Sequence, residues 1–350
     1  MLLVNSIPPC SGGAEHVAWD HAKSMAIRGH QVHVLTFGEK TKSYRDQGVY
    51  VHLLKRKKHS YRYYLTIGSD IVTQVYNRIK PDIIHSHVPG AFGYILRKKP
   101  CKKILTMHSG TESSKISDYG PEAKVKQVLR LYMWRQIIRN CNAVTATSRW
   151  HLDYCINEYR VIPELIPNGV DLNKFYKNKD TEKLESTVLN FGRLIKRKGV
   201  DKLLEAAKDL TEYNFWFTGQ GNLEGDVCGN NINLLDFKVN LNKVINKSTI
   251  CVFPSVWENL PLVGLEAMAC GTPIIATQTG FSEYVKDGYN GILIENNNPE
   301  TIKTAVIKLM EDKQLRDKIS NRAIKTAKDY DWSKVVIKYE KLYERLLENN

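Results

Sequence analysis

No segment of this chain strings together the roughly 18 apolar residues that a membrane-spanning helix needs, and mean hydropathy is −0.37. The opening Met-Leu-Leu-Val-Asn-Ser-Ile-Pro-Pro lacks the basic start and long apolar stretch of a secretory signal. Cysteine is sparse and odd in number: Cys10, Cys101, Cys141, Cys155, Cys228, Cys251 and Cys270 include no C-x-x-C and no metal-ligand spacing. That excludes a disulfide framework and a thiolate metal site, and it fits small apolar residues in a reducing compartment. No G-x-G-x-x-G follows the first strand pattern, so the dinucleotide fingerprint is missing too. Short internal repeats are absent. These absences lead us to expect a cytoplasmic protein with no membrane span and no bound metal.

Acidic residues are scarce in the first half. Residues 1–170 hold 25 Lys and Arg against 12 Asp and Glu, a balance of +13 that leaves +1 of the total +14 for the rest. Basic clusters at Lys55-Arg56-Lys57-Lys58, Arg97-Lys98-Lys99 and Lys102-Lys103 suit an anionic membrane surface or a phosphorylated acceptor, and equally a solvated face. A nucleic-acid partner would need a recognition motif, and none is present. At 350 residues the chain exceeds a usual single core, so two domains are expected.

The pattern alternates. Leu2 to Asn5 reads as a strand, followed by a Gly12-Gly13 loop, a helix from about Ala14 to Arg28 and a strand from Gln31 to Thr36. More strands are expected at Asp82 to His87, Lys103 to His108 and Ala143 to Ser148. The prolines around Asn168-Gly169 and the polar run to Ser186 mark a linker. The same grammar then restarts, with strands at Val188 to Phe191 and Phe215 to Thr218 and a helix at Val200 to Asp209. Apolar residues recur at helical spacing from Asp331 to Glu348. The expected organisation is 1–170, a linker at 171–186, a second domain at 187–330, and a final helix at 331–350 that turns back toward the first domain. Two Rossmann-like, doubly wound α/β domains facing a cleft account for it most simply.

The most informative stretch is W-E-N-L-P-L-V-G-L-E-A-M-A-C-G-T-P, which sets Glu258 and Glu266 astride a helix start. Pro261 suits the first helical turn, and Gly271 and Pro273 stop the helix. At about 1.5 Å per residue the two acids would stand about 12 Å apart, too far to grip one atom and well placed for the two ends of an elongated ligand. Between them a helix N-terminus favours a phosphate. Apolar runs at Thr249 to Ser255 and Pro273 to Thr277 make this a βαβ unit, whose loops beyond the strand ends carry ligands.

In order, the Gly12-Gly13 loop, H-S-G at His108, I-P-N-G-V-D-L-N-K-F, F-G-R-L-I-K-R-K-G, the Glu258/Glu266 helix, A-C-G-T-P-I-I-A-T and D-G-Y-N-G-I-L-I resemble the retaining family 4 glycosyltransferases of GT-B fold over nearly the whole chain. The resemblance implies transfer of a hexose from a nucleoside-diphosphate sugar, without metal or cofactor, to a glycan or lipid-linked hydroxyl. Arg193 and Lys198, with Gly13, match the donor diphosphate site. Glu258 matches the loop that touches the sugar, with the backbone of Asn259, Leu260, Pro261 and Leu262. Glu266 matches the acid that takes the ribose hydroxyls, Gly12 and Gly13 a phosphate or acceptor loop, and His108 a histidine that faces the sugar. His85 and His87 are weaker candidates. The family favours a same-face substitution in which the leaving phosphate helps to deprotonate the acceptor and Glu258 positions the sugar, rather than a covalent intermediate.

Two departures stand out. The segment from Gly221 to Ser248 is short where the family has a longer helix and strand, so uridine, guanosine and adenosine donors stay open. Asn259-Leu260-Pro261 replaces the usual glycine and aromatic. Pro121 to Arg139 reads both as an interfacial helix, with Val128, Leu129, Tyr132 and Trp134 beside basic residues, and as a core helix with a charged outer face. A catalytically silent nucleotide-sugar-binding partner subunit is the alternative to an enzyme, and peripheral association with the inner face of a membrane is part of the expectation.

Overall fold

The computed structural model describes residues 1–8, 12–55, 69–87, 90–108 and 121–348. They form two compact units, Met1–Asn168 with Trp332–Asn350, and Gly169–Asp331. Cys10, the Arg56-Lys57-Lys58 part of the first basic cluster, and Ser109-Gly110 of H-S-G lie outside the described residues. No helix among them is long and apolar enough to cross a membrane.

Unit 1 is built on β1 (Leu2–Leu3), β2 (His33–Gly38), β3 (Lys42–Asp46), β4 (Val49–Lys55), β5 (Ile83–Ser86), β6 (Lys102–Met107), β7 (Ala143–Ala146) and β8 (Glu164–Leu165), in the order β3-β4-β2-β1-β5-β6-β7-β8. All neighbours run parallel except β3 and β4. Those two form a hairpin that the sequence reading does not anticipate. Its Gln47-Gly48 turn has φ of 47° and 84°, as two-residue hairpins require, yet β3 is exposed throughout and offers no apolar alternation to read. Helices α1 (Gly13–Ile27), α2 (Ser69–Ile79), α3 (Ala91–Leu96), α4 (Pro121–Arg139) and α5 (Arg149–Tyr159) join the strands. The C-terminal helix, Trp332–Glu348, buries Trp332, Val335, Val336, Tyr339 and Leu342 and packs on α1. Arg28 and His30 pair with its Glu340.

Unit 2 holds β9 (Thr187–Phe191), β10 (Asn214–Thr218), β11 (Ile232–Leu235), β12 (Ile250–Phe253), β13 (Ile274–Thr277) and β14 (Ile292–Ile294), all parallel in the order β11-β10-β9-β12-β13-β14. Every residue of β9, β12 and β13 is buried, as in strands covered on both faces. Alternate residues feed opposite cores: Val188, Val252 and Ile275 join Leu203, Phe215 and Leu309, while Leu189, Phe253 and Ile274 join Leu265, Met268 and Phe281. The helices are α6 (Val200–Asp209), α7 (Leu241–Lys247), α8 (Leu262–Ala269), α9 (Pro299–Glu311) and α10 (Lys313–Asp329). Strand order reverses between β9 and β12 here, and between β1 and β5 in unit 1, and beyond the C-terminal ends of such strands open sheets bind ligands. Residues 171–186, read from sequence as a linker, fall within unit 2. The Leu184 N–H donates to the Lys247 carbonyl at 2.8 Å and Lys183 Nζ to the Ser248 carbonyl at 2.9 Å, which ties the segment to the start of β12.

Candidate active site

In unit 2 the chain leaves β9 through Gly192 and Arg193 and closes a 3₁₀ turn, Lys196–Lys198, before α6. Gly199 ends that turn with φ of 69°, and a Cβ there would fall 1.9 Å from the Pro254 carbonyl oxygen. Only glycine lets the turn lie against the end of β12, and this contact places Lys198 beside Glu258. The two form an ion pair. Ser255 Oγ donates to the same carboxylate oxygen at 3.0 Å, and Thr277 Oγ1 fixes the Ser255 carbonyl at 2.6 Å. Arg197 belongs to the frame: its Nη1 donates to the Trp257 carbonyl at 2.7 Å, and its own carbonyl accepts from the Val256 N–H at 2.9 Å. Burial lowers the Lys198 pKa against the pull of Glu258, and the charges of Arg197 and Arg193 press the same way as burial. Arg193 is exposed, and no carboxylate among the described residues pairs with it. The site therefore holds one neutralised cation and one available fork of donors, a combination suited to a multiply charged anion.

Helix α8 is capped three residues after Glu258. Pro261 is its N-cap, with φ −73° and ψ 125°, rather than its first helical residue; its carbonyl is held by Tyr284 Oη at 2.7 Å. Glu258, Asn259 and Leu260 are buried immediately before it, while Leu262 and Glu266 are partly buried on it. The structure thus brings Lys198 and Glu258 into contact, with Arg193 in their field, and sets Glu266 partly buried on the helix that follows. Tyr284 lies within the electrostatic reach of both acids. Burial, then the charges of Glu258, Tyr330 and Glu266, hold its phenol well above 10. Sequence reading missed this tyrosine. A signal existed in Gly264, where a Cβ would meet Tyr284 Oη at 2.2 Å, but a glycine within a helix does not announce its neighbour.

In unit 1, Gly12 is the extended N-cap of α1 and Gly13 its first residue; both are exposed, and a Cβ on Gly13 would meet nothing within 4 Å. His108 follows β6 and is partly buried. Its Nε2 lies 3.0 Å from His87 Nδ1, and His87 Nε2 lies 2.9 Å from His21 Nδ1. His85 joins them through ring contacts. Burial drives the pKa of His21 down to about 3 and those of His85, His87 and His108 well below 6.5, with their mutual repulsion adding to it. The weaker candidates His85 and His87 are thus joined to His108 in one cluster, and His21, on α1, was not singled out from sequence at all. A depression of about 750 Å³ lined by Tyr76, Lys80, Asp82 and Lys102 lies at the opposite, N-terminal ends of β5 and β6.

Glycosyl transferases group 1 is the family description that matches residues 173–326, and Glycosyltransferase Family 4 matches residues 11–174. An uncharacterized glycosyltransferase of Methanocaldococcus jannaschii is 30% identical over 281 residues, covering 76% of each chain. The UDP-Gal:alpha-D-GlcNAc-diphosphoundecaprenol alpha-1,3-galactosyltransferase of Escherichia coli is 29% identical over 310 residues and 77% of each chain. Among solved structures, sucrose-phosphate synthase from Thermosynechococcus elongatus superposes with a TM-score of 0.85 at 19% identity, over 100% of this chain and 99% of the other.

Proposed function

The chain belongs to the group 1, family 4 glycosyltransferases of GT-B fold, and from that footing we propose that it moves a hexose from a uridine-diphosphate sugar to a hydroxyl of a lipid-linked acceptor, with retention of configuration. The observation that carries this reading is the meeting of Arg193, the Lys198–Glu258 pair and the N-terminus of α8 at the β9/β12 switch point. Cationic donors and helix N–H groups there neutralise a diphosphate as it leaves, with no metal called upon. Uridine as the base and a lipid diphosphate as the acceptor carrier are suggested by the named substrates of the Escherichia coli relative.

In this scheme Arg193 and Lys198 hold the diphosphate, and Glu266 takes the ribose hydroxyls. Glu258 and the backbone of Asn259, Leu260 and Leu262 position the sugar. The bond from the anomeric carbon to the phosphate oxygen breaks, a bond to the acceptor oxygen forms on the same face, and the acceptor proton passes to the leaving diphosphate. His108 touches the sugar or acceptor. A thermal-shift panel of UDP-, GDP- and ADP-sugars tests the donor, since a ligand of the native state raises the melting temperature according to its affinity; a response to GDP- or ADP-sugars alone removes the uridine assignment. Glu258→Gln should lower kcat at least about 100-fold, without a trapped glycosyl-enzyme. Normal turnover sinks its role, and release of free sugar with no transfer to any acceptor would favour a donor-binding subunit.

Peripheral membrane contact belongs to the same proposal. Helix α4 buries Met133, Trp134, Ile137 and Ile138 but exposes Val128, Leu129 and Tyr132, so Trp134 leaves the interfacial set and the other three remain on an apolar outer patch. The basic excess of this half of the chain favours anionic lipid beside it.

A further inference from the structure

Unit 1 holds a polar side chain for which the scheme above has no use. His151 stands in the first turn of α5, just beyond the end of β7, and is fully buried. Neither of its ring nitrogens meets a hydrogen-bond partner among the described residues. Aromatic rings flank it instead, with centroids 5.2 Å away at Trp150 and 6.3 Å away at Tyr154. A neutral imidazole needs an acceptor for its N–H and a donor for its lone pair, and a buried group left without them bears its whole desolvation cost. A phenylalanine would fill the same space without that cost, so packing alone does not account for a histidine here.

The surroundings of the ring select its partner. Helix α5 runs for 11 residues from its N-cap Ser148, whose Oγ accepts from the His151 backbone N–H at 3.2 Å. Helical side chains lean toward the N-terminus of their helix, so the His151 ring overhangs the positive end of the α5 dipole, where an anion is favoured. Arg149 opens the same turn, and no acid in that turn offsets the charge. The charge of His151 reaches His108, which follows β6, so the ring lies on the side of the sheet where the strands end and open α/β sheets bind ligands. A partner for both nitrogens must offer an anionic oxygen to the N–H and an O–H to the lone pair. A halide lacks the hydroxyl and a neutral sugar lacks the charge; a phosphorylated sugar has both.

We propose that the first turn of α5, with His151, seats the phosphate of the acceptor: the His151 N–H donates to a phosphate oxygen, and the second ring nitrogen accepts from a hydroxyl of the sugar beside it. The donor diphosphate is assigned to unit 2, so a phosphate seat in unit 1 serves the other substrate. Such a seat rests on the proposed lipid-linked acceptor and narrows its class to a sugar carried on phosphate and recognised through that phosphate.

Nitrogen-15 imidazole spectra of the full chain, kept saturated with UDP, read the ring directly once His151 is assigned by substitution. Glucose 1-phosphate should shift its nitrogens saturably, inorganic phosphate more weakly, and glucose not at all. His151→Phe should weaken glucose 1-phosphate binding about tenfold, the equivalent of one net hydrogen bond. It should also raise KM for a polyprenyl-diphosphate sugar about tenfold, with donor KM unchanged and the melting temperature no lower. His151→Gln, whose amide offers both a donor and an acceptor, should recover part of the binding. A His151 ring that answers to neither phosphate and so holds water only, a ring that shifts on adding UDP to the free protein, or an unaltered acceptor KM in the Phe variant would overturn the proposal. A Phe variant that melts well below the wild type would make the ring structural and overturn it as well. The two levels separate, because the spectra judge the phosphate seat without turnover: transfer to lipid-free sugars alone, with glucose 1-phosphate still held at His151, removes the lipid-linked reading and leaves the seat standing.

Discussion

Lys198 shows how far a residue's environment decides its chemistry. Removing it in Lys198→Met leaves the buried Glu258 with Ser255 as its one side-chain partner among the described residues, and such a loss costs about 3 kcal/mol when the pair is largely desolvated. We expect a lowered melting temperature together with a kcat at least about 100-fold lower. Arg193→Met, at an exposed position without a carboxylate partner among the described residues, should lose comparable activity with the melting temperature within about a degree, since exposed substitutions change stability by about 0.5 kcal/mol or less. If both variants melted alike, the distinction between them would fail. Glu258, Lys198 and Arg193 were legible because they stand in short motifs that also announce their local backbone. The pairing of Lys198 with Glu258 was not, since it depends on Gly199 lying against Pro254, across sixty positions of chain. The histidine cluster was still less legible: its members sit on α1 and at the ends of β5 and β6, and nothing local to His21 distinguishes it from a core residue.

At the scale of elements, α8 and α4 carry the argument. Gly264→Ala forces a methyl group toward Tyr284 Oη and should break its bond to the Pro261 carbonyl, destabilising the protein by about 1–3 kcal/mol and raising donor KM, because the helix start shifts. Tyr284→Phe removes the bond without the clash and should cost about 1 kcal/mol; equal effects in the two variants would deny the steric account. On α4, Leu129→Glu with Tyr132→Glu should abolish flotation with anionic vesicles while leaving the melting temperature unchanged, whereas Trp134→Ala, deep in the core, should cost about 3–5 kcal/mol. Absence of vesicle binding by the wild type at low salt removes the membrane proposal. Helix α8 was read nearly to its ends because its stop signals are local. The split of α4 was not read, because which side of an amphipathic helix is covered depends on what the sheet presents to it. The β3–β4 hairpin escaped for a related reason: an exposed edge strand has no buried face to leave a period in the sequence.

For the whole molecule, the buried histidines set the acid limit. His21, His85, His87 and His151 are fully buried in unit 1, and burial lowers their folded pKa values, to about 3 for His21 and about 4 for His151. Unfolded, each takes a proton near pH 6.5. Above that pH both states are neutral and the contribution to stability is complete; as pH falls below it, only the unfolded chain binds protons, and stability drops by up to about 1.4 kcal/mol per pH unit for each ring. Four such rings remove about 5 kcal/mol per unit, comparable with the whole stability of a domain, so unit 1 should unfold cooperatively between about pH 6 and pH 4. A flat melting temperature across that range would contradict the burial of these rings. Unit 2 is continuous in sequence, Gly169–Asp331, and should fold when expressed alone, with native-like circular dichroism; unit 1 without Trp332–Glu348 loses five buried side chains and should not. By itself the sequence determined the fold class, the alternation of strands and helices, and which loops carry the cationic and acidic residues, because hydrophobic period, turn chemistry and helix stops all act over a few neighbouring residues. Only the tertiary structure decided that Lys198 meets Glu258, that Tyr284 holds the start of α8, and that His21, His85, His87 and His108 gather in one cluster. Those contacts join distant segments through the order of strands in a sheet, and that order is settled by packing rather than by any local pattern.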